Sequence, residues 1–155
     1  MTAIRDLMVT QLIQVAPGAS AIDAARQMAE NRVGAVLVTA NGTLQGIVSE
    51  RDLVTRVLAS GKPPSEVTAA DIATTDVISV GVDAPLRTVL QTFRDSRFRH
   101  LPVLDGDTPV GILSTRDFLA FLVDGFELLI DDARYHDQIA AGLDPYDHLG
   151  GAYGR

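Results

Sequence analysis

The stretch Gly46-Ile47-Val48-Ser49-Glu50-Arg51-Asp52 returns as Gly111-Ile112-Leu113-Ser114-Thr115-Arg116-Asp117, an offset of 65 residues (46 to 111). Carried without gaps, that offset also aligns Asp6 with Asp71, Thr10 with Thr75, Ile13 with Ile78 and Val15 with Val80. It further aligns Ala19 with Ala84, Arg32 with Arg97 and Val38 with Val103. One register held over so many positions is an internal duplication. Two copies of a small unit bury their apolar faces on each other, and the seam between them is a natural place for a ligand.

Each copy reads as strand, helix, two strands, helix. Leu12 to Val15 is a short strand-like run, interrupted by Pro17-Gly18-Ala19-Ser20 before a helix reaching about Arg32. Ser20 with Asp23 predicts a capping box, and Ala21, Ala25 and Met28 have helical spacing. In the second copy Asp83-Ala84-Pro85 opens a helix with proline in its first turn, and Leu86, Val89, Leu90 and Phe93 predict a core face. Two strands follow, Gly34 to Val38 and Leu44 to Val48, around the turn Asn41-Gly42. The second copy places Asp105-Gly106 between Leu101 to Leu104 and Val110 to Leu113, a turn expected one position out of register with the first. Another helix starts at Ser49 and at Ser114, and Gly61-Lys62-Pro63-Pro64 ends the first copy as a helix stop and linker. Past Asp124, the positions Phe126, Leu128, Leu129, Ile130, Ala133 and Ile139 support one more amphipathic helix, and Gly142 to Arg155 is expected to be frayed. The organisation is therefore repeat one at 1–62, repeat two at 63–124, and a C-terminal helix with a flexible acidic tail at 125–155.

The 155 residues, 46% of them hydrophobic, suffice for one sizeable core or for two half-size units sharing one. No apolar run nears the ~20 residues that cross a bilayer, and the N-terminus lacks the basic-then-apolar order of a secretory signal, so a cytoplasmic protein is expected. The absence of cysteine excludes disulfides, thiolate nucleophiles and sulfur-ligated metals. A net charge of −7 and a pI near 4.7 disfavour binding of nucleic acid by phosphate neutralisation. Most of that charge lies late in the chain. From Asp124 onward seven acids face two arginines, giving 2 − 7 = −5, so the duplicated body carries −7 + 5 = −2.

Two tandem copies of strand-helix-strand-strand-helix, each closing on Gly-Ile-x-Ser-x-Arg-Asp, resemble the tandem cystathionine-β-synthase (CBS) domain pair over about Leu7 to Asp124, in its stand-alone form. The resemblance implies a mixed α/β (α+β) fold in which two CBS repeats pack as a disc-like, pseudo-twofold pair with two clefts between them. It implies a non-catalytic sensor or regulator whose clefts accept adenosine compounds such as AMP, ADP, ATP, S-adenosylmethionine or NAD, and whose modules pair through their helices into a homodimer. No cofactor is required beyond such a regulatory ligand. A protein partner of unknown identity would read the occupancy.

The candidate site residues divide by chemistry. Ser49 with Asp52, and Ser114 with Asp117, have capping-box spacing at a helix start, which by itself needs no ligand. A helix start also offers N–H donors to a phosphate, and a carboxylate accepts ribose hydroxyls, the role the resemblance gives the two aspartates. Arg51 and Arg116 offer planar donor forks to phosphate, or are solvated helix arginines. Arg97-Phe98-Arg99-His100 stands where family members carry basic residues aimed at the phosphates. Gly34 and Ala35 occupy the positions of Arg99 and His100 in the first copy, so the two clefts are not equivalent. The second repeat's basic cluster serves its own cleft or reaches into the one whose adenine lies on the other repeat. By the same resemblance, adenine is held by backbone and apolar walls at Leu12 and Ile13 with Val33 to Ala35, and at Val77 and Ile78 with Phe98 to His100; most of these apolar residues are also ordinary core.

His100 would titrate near neutrality at an ordinary pKa. His136 and His148 match no established ligand spacing, so no metal site is expected. No phosphate loop, dinucleotide fingerprint or nucleophile with a base is found, so an enzyme is the weakest reading. The alternative to a nucleotide sensor is a structural or protein–protein interaction module whose clefts stay empty.

Overall fold

The computed structural model of the protein describes residues 4–96 and 98–141. The first repeat runs α1 (Ile4–Leu7), β1 (Gln14–Val15), α2 (Ala21–Asn31), β2 (Ala35–Ala40), β3 (Thr43–Ser49) and α3 (Glu50–Asp52), which continues over Leu53–Leu58 as a wider π-helix. The second runs α4 (Ala69–Ile72), β4 (Val80–Gly81), α5 (Leu86–Asp95), β5 (His100–Asp105), β6 (Thr108–Ser114) and α6 (Thr115–Ala140). Each repeat forms one three-stranded sheet, β1-β2-β3 and β4-β5-β6, with the first pair parallel and the second antiparallel. Two parallel strands cannot be joined by a tight turn, so α2 and α5 serve as the crossovers.

The sheets are in register across the duplication. Ala40 pairs with Thr43 and Asp105 with Thr108, and the bulges fall after Val38 and after Val103. The two hairpin turns therefore occupy equivalent positions, Asn41-Gly42 and Gly106-Asp107, and the expected one-residue slip is corrected. What shifts is the glycine. Asn41 and Gly42 both have positive φ, 52° and 76°, as a type I′ turn needs. In the second hairpin only the first central residue, Gly106, is positive, at 59°, matching the glycine-first II′ pattern.

The short helices α1 and α4 show no period in the sequence; they are equivalent across the offset and exchange places. Ile72 and Ala69 are buried in the first repeat's core with Val15, Ala21, Met28, Val36, Val38, Val48 and Val57. Ile4 is buried in the second repeat's core with Val80, Val82, Val89, Leu101, Val103 and Leu113, beside Leu7 and Met8. Backbone bridges fix the exchange: Ile47 N–H donates to Thr74 C=O (3.0 Å) and Thr74 N–H to Ile47 C=O (2.9 Å). Val9 and Ile112 repeat the pattern at 2.9 and 3.0 Å. Full burial of Ile4 and Ile72 contributes about 1.5–3 kcal/mol each.

This exchange explains the glycine that opens the repeated motif. A Cβ on Gly46 would stand 2.9 Å from Ala73 Cβ and 3.0 Å from the Thr74 carbonyl oxygen, and one on Gly111 would overlap Met8. Both strands leave room for the other repeat's head by having no side chain there.

Smaller differences from the sequence reading have local causes. The buried stripe of α2 is Ala21, Ala24 and Met28, with Ala25 at its half-buried edge. Pro85 is the N-cap of α5, one residue before the helix, and Leu90 stays 40% exposed while Val89 is fully buried. The tail helix is not separate: α6 runs unbroken from Thr115 to Ala140, through Asp124 and Gly125. This helix, from Arg116, forms a second compact unit of the chain. The expectation for Gly142 to Arg155 lies outside the described residues.

Capping boxes start α2 and α4 as well as α3, at Ser20/Asp23 and Thr68/Asp71. The Ser20 hydroxyl, at 2.7 Å, and then its amide hold the Asp23 carboxyl below the ordinary carboxylate range. At Asp71 the Thr68 amide (2.9 Å) leads and the hydroxyl (2.7 Å) follows. Depressed folded-state values mean stability that is complete above the unfolded aspartate pKa of about 3.9 and lost as pH falls through the lower folded values. Asp23→Asn with Asp71→Asn should therefore flatten the acid limb of the melting temperature against pH below about 4, and leave its shape near neutrality unchanged. Gly46→Ala should cost about 1–3 kcal/mol, a melting-temperature drop of several degrees by calorimetry, because the groups it meets include backbone that cannot rotate away.

Candidate ligand-binding cleft

The strand-to-helix junction at the end of β3 is set by its own cap. Ser49 Oγ accepts from the Asp52 amide (3.4 Å) and donates to Asp52 Oδ2 (2.7 Å), and the Ser49 amide donates to the same oxygen (2.8 Å). The Asp52 side chain is thereby fixed and only 13% exposed, and its other oxygen, Oδ1, lies 3.4 Å from Arg56 Nε. Glu50 N–H donates to Gly34 C=O (3.0 Å), which ties the start of β2 to the same junction.

Across from this junction lies the second repeat's entry to β5. Phe98 packs against the second core and against Phe93 with ring centroids 6.4 Å apart, which places Arg99 and His100 at the first repeat's edge. The His100 ring comes so close to Gly34 that a Cβ there would stand 3.2 Å from Cε1 and 3.3 Å from Nε2, with the Glu50 carboxylate at 3.5 Å. Glycine at 34 makes this seat.

The result is one cleft of about 380 Å³, lined by Gly34, Ile47, Ser49, Arg51 and Asp52 of the first repeat, by Thr74, Asp76, Val77 and Ile78, and by Phe98, Arg99 and His100. Its size is that of a small-molecule site. Among the described residues neither Arg51 nor Arg99 is paired with a carboxylate, and both are exposed. Two exposed guanidinium groups thus line the pocket together with the carboxylates of Asp52 and Asp76 and an apolar wall of Ile47, Val77, Ile78 and Phe98. That arrangement suits a ligand with an anionic end and a flat apolar end.

Arg99 and His100 share this cleft with Val77 and Ile78 of their own repeat and with Ser49 and Asp52 of the first, so the cleft draws on both repeats. Nine of the sixteen candidate residues line it, and Ile47, Thr74 and Asp76 join them. Asp76 directly precedes Val77-Ile78 and was findable by proximity. Thr74 arrives only through the exchange of heads. Leu12, Ile13 and Ala35 do not line it: Ile13 packs on the first core and its carbonyl accepts from Leu37, and Ala35 is buried in β2. Ser114 closes β6, while Arg116 and Asp117 stand in the first turn of α6, and none lines this cleft. Arg97 lies outside the described residues.

Two exchanged α/β repeats around a shared cleft define a tandem-repeat pair. The sequence profile of the CBS domain matches residues 4–59 and 69–124, so the chain belongs to the CBS-domain family, whose pairs are regulatory modules. Bacillus subtilis YhcV, a CBS domain-containing protein, is 29% identical over 117 residues, covering 76% of this chain and 83% of YhcV. Arabidopsis thaliana CBSCBSPB3 is 30% identical over 142 residues, and the chain spans only 25% of that plant protein. Among solved structures, that of the CBS domain NE2398 superposes with a TM-score of 0.74 at 28% identity, over 79% of this chain and 99% of that one.

Gly34→Val should displace the His100 ring while the fold persists. The check is the imidazole NMR signal of His100, assigned with His100→Gln: it should move in the valine variant, with the melting temperature within a few degrees of wild type.

Proposed function

We propose that the protein is a non-catalytic sensor that binds an adenosine nucleotide in this cleft, with AMP, ADP, ATP, S-adenosylmethionine and NAD as the candidate class. The carrying observation is the convergence of the unpaired Arg51 and Arg99 on the pocket that also holds Asp52. A polyanion needs local positive charge because the body as a whole supplies none. In this reading Arg51 and Arg99 receive phosphate, Asp52 accepts a ribose hydroxyl, and Val77, Ile78 and Phe98 flank the base. No described helix is long and apolar enough to cross a membrane.

A ligand signals only through different affinity for two arrangements of the protein. Here it touches both repeats and the segment joining them, so the arrangement of the repeats is what it biases. Val54 and Leu58 are exposed on the first repeat's helix, and their equivalents at the 65-residue offset, Leu119 and Val123, are exposed on α6. That recurrence supports a homodimer formed through these helices, and also supports the second reading, a protein–protein interaction module that needs no nucleotide.

Thermal unfolding with adenosine, AMP, ADP, ATP, S-adenosylmethionine and NAD, with GTP as control, separates the two. A ligand at ~100 times its dissociation constant stabilises by about 2.7 kcal/mol, a shift of several degrees. The expected shift is selective for one adenosine compound and lost in Asp52→Ala. Arg99→Ala should weaken ATP more than adenosine in calorimetric titration, and an equal loss on both would assign Arg99 to packing. No shift with any compound would leave the interaction module.

A further inference from the structure

Arg56 does not line the cleft, yet its guanidinium reaches three groups that matter to it. Nε faces Asp52 Oδ1 at 3.4 Å, Nη1 donates to the Ile72 carbonyl at 2.6 Å, and Nη2 donates to Thr74 Oγ1 at 3.5 Å. The first contact is within the first repeat. The other two are on the head of the second repeat, which is seated in the first repeat's core. The Arg56 side chain is 45% exposed, so its fork is held by these acceptors and not by burial.

The Asp52 carboxylate has about four acceptor positions. Ser49 takes two on Oδ2, through its amide and its hydroxyl, and Arg56 faces Oδ1 as an ion pair at 3.4 Å. A ligand hydroxyl that approaches Asp52 is therefore received by Oδ1, beside the Arg56 Nε–H. Whatever the hydroxyl does to that oxygen acts on the guanidinium, and the planar fork carries it to Ile72 and Thr74. Thr74 is in turn bridged to Ile47, another wall of the cleft. The position equivalent to Arg56 in the second repeat is Phe121, so the second aspartate's helix carries no counterpart of this fork.

We infer that Arg56 is a coupling residue: it joins the Asp52 carboxylate to the head of the second repeat, so that hydroxyl binding at Asp52 tightens the Ile72–Thr74 segment. The inference rests on the proposed ligand reading for the source of the hydroxyl, and on geometry alone for the tether.

Amide hydrogen exchange at Thr74 and Ile47 tests it, with ATP and adenosine as probes, in wild type, Arg56→Met and Arg56→Lys. Without ligand, Arg56→Met should exchange at these two amides roughly fivefold faster or more, the factor matching one hydrogen bond of about 1 kcal/mol. Wild type with saturating ATP or adenosine should gain protection there. Arg56→Met should still bind, within about tenfold of wild-type affinity, and show no gain. Arg56→Lys keeps the charge near Asp52 but not the planar fork, and should restore affinity without restoring the gain. If Arg56→Met fails to fold, the lysine variant alone carries the comparison. Unchanged ligand-free exchange in the variants, or a full ligand-induced gain in Arg56→Met, overturns the inference while leaving nucleotide binding intact. Failure of wild type to bind any adenosine compound overturns the ligand reading and the coupling together, with the ligand-free exchange still reporting whether the tether exists.

Discussion

The fold depends on two pairs of backbone hydrogen bonds, Ile47 with Thr74 and Val9 with Ile112, each made between the last strand of one repeat and the head of the other. They are possible only because Gly46 and Gly111 present no Cβ where that head must pass. The exchange carries Ala69 and Ile72 into one core and Ile4 into the other, so neither sheet completes its burial without the partner repeat. A three-stranded sheet with one or two covering helices is close to the lower limit for independent stability. Mutual completion converts two marginal units into one body.

The same exchange builds the cleft. The segment after α4, from Thr74 to Ile78, is drawn along β3 by the bridge and becomes a wall facing the capped junction at Ser49. On the opposite side, Gly34 admits the His100 ring. The duplication is nearly symmetric in backbone, down to the bulge positions, but not in chemistry. Gly34 in one copy is Arg99 in the other, and both line this cleft, where the small residue of the first repeat makes room for the His100 ring of the second.

Asp52 shows how a structural residue and a binding residue coexist. Its Oδ2 belongs to the helix cap, and the cap fixes the carboxylate's orientation without occupying Oδ1. The helix it starts widens at once into a π-turn over Leu53–Leu58, a departure that is rare and frequent near functional sites. Arg56 lies one turn beyond Asp52 and reaches from it to Ile72 and Thr74.

The repeat, the strand order within each copy, the capping boxes at Ser20 and Ser49 and the turn at Asn41-Gly42 were legible in the sequence, because each rests on contacts a few residues apart or on identity at a fixed offset. Ser49, Asp52, Val77, Ile78, Arg99 and His100 stand out through motif chemistry and the family resemblance, and all six line the one cleft. The four-residue helices α1 and α4 were not legible, since they are too short to show a period and are held by the other repeat. The turn at Gly106-Asp107 was misplaced because a glycine marks a turn without saying which of its two central positions it fills. Which repeat's arginines face which aspartate, and the entry of Thr74 and Arg56 into the neighbourhood of the cleft, were decided by tertiary structure alone. They depend on a head segment packing against the strand of another repeat, a contact between residues distant in sequence that leaves in the chain only a glycine where a Cβ would not fit.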